Sequence, residues 1–216
     1  MHEGLARYVE FLHNNKFIAR PNDIIGSVAV NANPFTLGHA HLIQSALQRS
    51  DYLYVFVAEE DLSDFSFEDR FTLVKNYCEP YNNIKVFPSG RFFASTISFG
   101  DYFNRDALET VKIDASLDCN IFSKVIAKEL GISFRMLGEE RRDIITQQYN
   151  DFVKEILEQN GIDVIIIPRY QVNGKIVSAK DVRKDIAENN FENLMQEVPK
   201  STYDYIMSRL KQGKKL

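Results

Sequence analysis

Hydrophobic residues along the chain follow two spacings that take turns. At 5–14 (LARYVEFLHN) they recur at helical spacing, the signature of a helix with one buried face, until Arg20-Pro21-Asn22-Asp23 ends the pattern. IIGSVAVN (24–31) is instead an unbroken, β-branched apolar run and predicts a buried strand. A helix at 38–49 follows, with Leu42, Ile43, Ala46 and Leu47 on one face, and then a strand at 52–58. Ser66, with Asp69 three places on, is close to a capping box and opens a helix at 66–78. A short strand at 84–88 precedes a long segment at 89–105. Helices at 116–131 and 144–161 each stop at a glycine, and strands occupy 134–138 and 163–169. Asn173-Gly174 reads as a turn, and helices at 178–189 and 201–211 follow it.

Strands alternating with helices of this length imply right-handed crossovers and a mostly parallel sheet. Continuous apolar strands, rather than alternating ones, are expected where helices cover the sheet on both faces. The fold class is therefore α/β, a doubly wound parallel sheet of five strands. No internal repeat or low-complexity linker interrupts it. Ligands of such sheets lie beyond the C-terminal strand ends, where strand order reverses, so the loop after the first strand is the first place to look.

That loop is NANPFTLGHAHL (31–42). Pro34 forces the chain to turn off the strand, and Gly38 removes a side chain where the helix begins, which lets a ligand approach the backbone. The free N–H groups of a helix N-terminus form a ready anion site. Thr36 adds a hydroxyl and His39 an imidazole, and together these suit the phosphates of a nucleotide. A second reading stays open on these residues alone: Thr36 caps the helix and His39 is merely a first-turn residue. His41 faces another side of the helix, and His39 with His41 lacks the four-residue spacing of helical zinc ligands. A second cluster, IVSAKDVRKD (176–185), places Ser178 as a helix cap with Lys180 and Arg183 in the first turns, within reach of phosphate oxygens.

Composition narrows the classes. A chain of 216 residues, 44% hydrophobic and 26% charged, suits a folded globular protein. A formal net charge of −4 argues against a general nucleic-acid binder, which needs a basic stripe, and no apolar run approaches the length of a membrane span. Cys78 and Cys119 are far apart and outside metal-ligand spacing, so reduced thiols and a cytoplasmic location are the expectation; the N-terminus also lacks the apolar core of a secretory signal.

TLGH (36–39) is a variant of the HxGH signature of the nucleotidyltransferase superfamily, and VSAKDVR (177–183) resembles that superfamily's second signature. NANPFTLGH, FSFEDRFTLV (65–74), IDASLDCNIF (113–122), LGEERRDIITQQYN (137–150) and IIIPR (165–169) together resemble the C-terminal domain of citrate lyase ligase, from about Ile24 to Leu210. The resemblance implies a Rossmann-like sheet of the HxGH nucleotidyltransferase type over 23–216, preceded by a leading helix and linker at 1–22. It also implies ATP-dependent adenylylation of acetate with release of pyrophosphate, and passage of the acetyl group to the prosthetic-group thiol of citrate lyase's acyl carrier subunit. ATP and Mg²⁺ are the cofactors to expect. By motif position His39 and Thr36 would act at the α-phosphate and Arg183 with Ser178 at the β- and γ-phosphates. Gly138 and Glu139 would lie beside the adenosine, and Asn31 and Asn33 would line the floor of the site. Pro34, Phe35, Gly38 and Lys180 complete the set of nucleotide-binding candidates.

Full-length members of the family carry a preceding acetyltransferase-like domain, for which this chain has no room. The helix at 5–14 is expected to be the remnant of that connection, in a truncated piece or a stand-alone relative. Phe92, Phe93 and Tyr102 are candidates to close over the acyl group, with packing as their other role. Two further functions share the same motifs: nucleotidyl transfer to a phosphate monoester, and a non-catalytic nucleotide-binding module.

Overall fold

A computed structural model describes residues 3–59, 63–90, 92, 116–139 and 144–213 of the chain. Five parallel strands form the central sheet: β1 (Ile25–Val30), β2 (Tyr52–Val57), β3 (Ile84–Pro88), β4 (Phe134–Gly138) and β5 (Asp163–Ile167), in the spatial order β3-β2-β1-β4-β5. The order runs one way from β1 to β3 and then returns to the other side of β1 for β4. The switch point therefore lies between β1 and β4.

Helices cover both faces, as the unbroken apolar strands predict. In β2, Leu53, Val55 and Val57 enter one core, with Ile43 and Ala46 of α2 (Leu37–Leu47) and Leu73 and Val74 of α3 (Phe67–Cys78). Tyr54 and Phe56 enter the other, with Tyr8 and Leu12 of α1 (Glu3–Asn15). That second core also takes Phe122 and Ile126 of α4 (116–130), and Val153 and Leu157 of α5 (Ile144–Gln159). The α1 helix is thus part of the body of the fold, and its Tyr8 hydroxyl donates to the Pro88 carbonyl at 2.6 Å.

Residues 116–130 form α4, whose middle, Phe122–Ala127, is wound as a π-helix. After β5 comes a two-stranded hairpin, β6 (Gln171–Val172) and β7 (Lys175–Ile176), turned by Asn173 (φ 50°) and Gly174 (φ 77°). Two successive left-handed residues fit the twist of a tight hairpin, which is why Asn-Gly stands there. Three helices follow: α6 (Ala179–Ala187), α7 (Phe191–Glu197) and α8 (Lys200–Lys211). They bury a third apolar cluster of Val182, Leu194, Val198 and Ile206 together with Phe65, from the loop after β2.

Element boundaries differ from the sequence expectation mainly at strand ends and caps. The strand expected at 163–169 ends at Ile167, ahead of Pro168, and α7 is a short helix that the apolar spacing does not predict. Among the described residues no helix is long and apolar enough to cross a membrane.

Candidate functional site

The switch point is open by construction. β1 pairs with β2 along six residues, but with β4 only at Gly26–Phe134 and Ser27–Arg135, near the N-terminal ends. Toward their C-terminal ends β1 and β4 part, and the segments leaving them flank the gap. Glu139 continues the β4–β5 ladder for one more bond, its N–H donating to the Ile167 carbonyl at 2.8 Å. Gly138 is exposed and Glu139 half-buried at this rim.

The chain leaves β1 through Ala32, fully buried with φ 57°. An L-residue pays about 1–2 kcal/mol for that left-handed conformation, so the surroundings must impose it. Arg70 of α3 contributes to that framework. Fully buried, it donates through Nη1 to the Asn31 carbonyl at 2.8 Å, the Asn31 side-chain oxygen at 2.9 Å and the Ala58 carbonyl at 2.7 Å, and through Nε to the Phe65 carbonyl at 3.1 Å. One guanidinium thus ties together the exits of β1 and β2.

Thr36 and His39 then form a reciprocal cap. The Thr36 hydroxyl oxygen accepts the His39 backbone N–H at 3.4 Å, and His39 Nδ1 accepts the Thr36 backbone N–H at 3.0 Å. This is a capping box with histidine in the position usually held by Glu or Gln. Because Nδ1 is an acceptor, the proton of the neutral ring stands on Nε2. Burial, with the Arg169 guanidinium nearby, pushes the imidazole pKa down to about 4, so the ring is neutral near pH 7. His39 is consequently an uncharged donor with a fixed tautomer, stacked at 5.8 Å against the Phe35 ring. The capping reading and the functional reading of the loop are not rivals, because the cap orients the imidazole.

Several candidates sit differently from what their motif positions suggest. Pro34, Phe35 and Thr36 turn their side chains inward: Phe35 is fully buried against Tyr77, and Thr36 is 2% exposed. These side chains are spent on packing, and that of Thr36 on its cap with His39. Asn33 is also buried, its amide donating to Asp64 at 3.3 Å and accepting the Phe65 N–H at 3.1 Å. Asn31 is half-buried and engaged by Arg70. His41 lies apart from His39 with its ring 5.4 Å from that of Tyr170.

The second motif comes to the first. A Cβ built on Gly38 would stand 3.6 Å from the Val177 carbonyl and 3.4 Å from Thr36 Oγ1, ordinary contact distances. Packing within the protein therefore does not require glycine at position 38. Val177 precedes Ser178, which holds the cap position of α6 by backbone geometry but makes no capping bond with its side chain. Ser178 thus stands at the helix cap as its residue type suggests, but its hydroxyl is not spent on the helix. Lys180 is exposed on the first turn. Arg183, one turn further, donates through Nη1 to the Asn33 carbonyl at 2.6 Å and pairs through Nε with the Asp64 carboxylate at 3.0 Å.

Arg70, Asp64 and Arg169 are site residues that sequence reasoning did not single out, although FSFEDRFTLV and IIIPR carry two of them. Phe92 packs against Tyr8 at 5.5 Å, a core contact, while Phe93 and Tyr102 lie outside the described residues. Among the described residues no group of three or more His, Cys, Asp or Glu stands where it could hold a metal. Mg²⁺ arriving with a nucleoside triphosphate needs no such cage, since phosphate oxygens and water supply most of its ligands.

The family model for the citrate lyase ligase C-terminal domain matches residues 25–206. Among curated relatives, the [citrate [pro-3S]-lyase] ligase of Haemophilus influenzae is 38% identical over 187 residues, 84% of this chain and 56% of that protein. The Klebsiella pneumoniae ligase is 32% identical over 95% of this chain and 60% of its own length. The chain thus spans less than two thirds of the length of these relatives. Among solved structures, Thermotoga maritima TmcAL bound with alpha-thio ATP superposes with a TM-score of 0.56 at 15% identity, over 88% of this chain and 56% of that one. Pantoate-beta-alanine ligase from Francisella tularensis, complexed with beta-gamma ATP and beta-alanine, superposes at 0.50 and 14%, over 93% and 83%. At such identities the two structures speak for the fold.

Proposed function

The chain belongs to the citrate lyase ligase C-terminal domain family, and on that premise we propose that it binds ATP and adenylylates a small carboxylate, acetate, releasing pyrophosphate. The observation that carries the reading is the junction of the two motifs. Gly38 stands beside the Val177 carbonyl and Arg183 bonds the Asn33 carbonyl, so two helix N-termini share one rim at the switch point.

In this reading the carboxylate oxygen attacks the α-phosphorus of ATP; a new P–O bond forms and the bond to the β-phosphate oxygen breaks. Such a transfer depends mainly on positioning and on charge stabilisation by preorganised donors. His39 Nε2–H, held by its bonds to Thr36, donates to an α-phosphate oxygen. Its low pKa keeps it a neutral donor throughout the physiological range. The N-terminus of α2, with no side chain at Gly38, accepts the phosphate backbone closely. Ser178, Lys180 and Arg183 hold the β- and γ-phosphates, and Gly138 with Glu139 borders the adenosine. Mg²⁺ enters with the triphosphate as MgATP.

The acceptor proposed for the acyl group is the prosthetic-group thiol of the citrate lyase acyl carrier subunit. A cytoplasmic setting suits an ATP-consuming enzyme whose cysteines, Cys78 and Cys119, are buried free thiols.

Acetate-dependent exchange of label between pyrophosphate and ATP tests the adenylylation. Exchange that requires acetate is expected. Its absence with every small carboxylate tried would defeat the ligase reading.

A further inference from the structure

We propose that the Asp64 carboxylate competes with the ATP phosphates for the Arg183 guanidinium, so that binding of the triphosphate is an exchange of one anion for another. The proposal rests on the reading of Arg183 as a phosphate ligand. Carboxylate and phosphate engage a guanidinium through the same in-plane N–H groups. Asp64 Oδ2 occupies the Nε edge at 3.0 Å, while Nη1 is fixed on the Asn33 carbonyl at 2.6 Å. The two partners differ in freedom: the Asp64 side chain is 62% exposed, that of Arg183 22%.

The loop bearing Asp64 is anchored without it. Phe65 is buried at 2% in the cluster with Val182 and Ile206, and its N–H donates to Asn33 Oδ1 at 3.1 Å. Asp64 can therefore swing into water while Phe65 and Arg183 stay in place, giving up only its long 3.3 Å bond from the Asn33 amide. A carboxylate that remained would also repel the polyanion. Its displacement makes the triphosphate bind more weakly than Arg183 alone would allow, and its return helps pyrophosphate leave.

The test is the dissociation constant of ATP, and separately of pyrophosphate, for the unaltered chain, Asp64→Asn and Asp64→Glu, with and without Mg²⁺. Thermal unfolding checks that each variant is folded, and Asp64→Ser serves as a second neutral variant. Removing an exposed competitor should tighten binding about twofold to fivefold. The gain should appear in both neutral variants and with either ligand, Mg²⁺ present or absent, and Asp64→Glu should bind like the unaltered chain. In an Arg183→Gln background, titrated to millimolar ligand, Asp64→Asn should bring a smaller gain, that of the lost repulsion alone. Unchanged or weaker binding in Asp64→Asn overturns the proposal, and so does an equal gain in the Arg183→Gln background, which would mean general repulsion. Weakening confined to Mg²⁺-containing samples would make Asp64 a metal ligand instead. If the unaltered chain binds neither ATP nor pyrophosphate, the functional reading itself fails, and this proposal with it.

Discussion

Thr36 and His39, three residues apart, fix each other, whereas Arg183 takes its position from Asn33, 150 residues away. The first arrangement is a local cap that forms wherever its own helix forms. The second depends on the third apolar cluster, where Val182 and Ile206 pack with Phe65 and bring α6 to the rim. In the proposed function, the imidazole that faces the α-phosphate is placed by short-range geometry and the groups assigned to the terminal phosphates by long-range packing. Perturbations should therefore separate the two halves.

The harshest way to break the contrast is to remove what both halves share. Arg70→Met should cost about 4 kcal/mol in urea unfolding, because buried carbonyls of Asn31, Ala58 and Phe65 lose their donor at about 1–3 kcal/mol each. Next in size, His39→Ala should lower acetate-dependent exchange by about 10²- to 10³-fold, the usual loss for one preorganised donor. Its stability should fall by only about 1 kcal/mol, the worth of half a cap. A comparable loss of stability and activity would make His39 a structural residue.

Gly38→Ala sharpens the comparison, because a Cβ there meets only ordinary contacts within the protein. Stability should hold or rise, by up to about 1 kcal/mol, since alanine favours helix. ATP binding should weaken about tenfold, the low end of forcing a methyl into packed contact. Binding unchanged by the methyl would separate Gly38 from the ligand. Smaller again, Thr36→Ala should cost about 1 kcal/mol of stability while Ser178→Ala stays within about 0.5, since only Thr36 spends its hydroxyl on a cap.

A last contrast lies in pH dependence. His39 has a folded pKa of about 4, below its unfolded value of 6.5, so the unfolded chain takes up this proton first. The stability due to the neutral ring is present above pH 6.5 and is lost as pH falls from there toward 4. Unfolding free energies of the unaltered chain and His39→Asn should converge across that window. Parallel curves would place the imidazole in water.

Much of this organisation was legible in the chain. The unbroken runs at 24–31 and 52–58 announced strands covered on both faces, and β2 does divide its side chains between two cores. The TLGH loop was legible because strand, breaker, glycine and histidine follow one another directly. The short α7 was not: Phe191 and Leu194 give too sparse a stripe for periodicity to register. Nor was the role of Arg70 or Asp64, whose partners lie up to 119 positions away, as the numbers of Asp64 and Arg183 show. Apolar spacing reports which face is buried and says nothing of which buried carbonyl a guanidinium will find. Ser178 marks the same boundary: its residue type signals a cap, yet the backbone takes the cap position without the hydroxyl.

The central claim is that the two halves hold one triphosphate, and a crystal structure with a non-hydrolysable ATP analogue tests it most directly. The phosphates are expected between the two helix N-termini, with an α-phosphate oxygen in hydrogen-bond range of His39 Nε2 and the terminal phosphates in range of Ser178 and Arg183. An analogue bound to one half alone, or away from the gap between β1 and β4, would contradict the account.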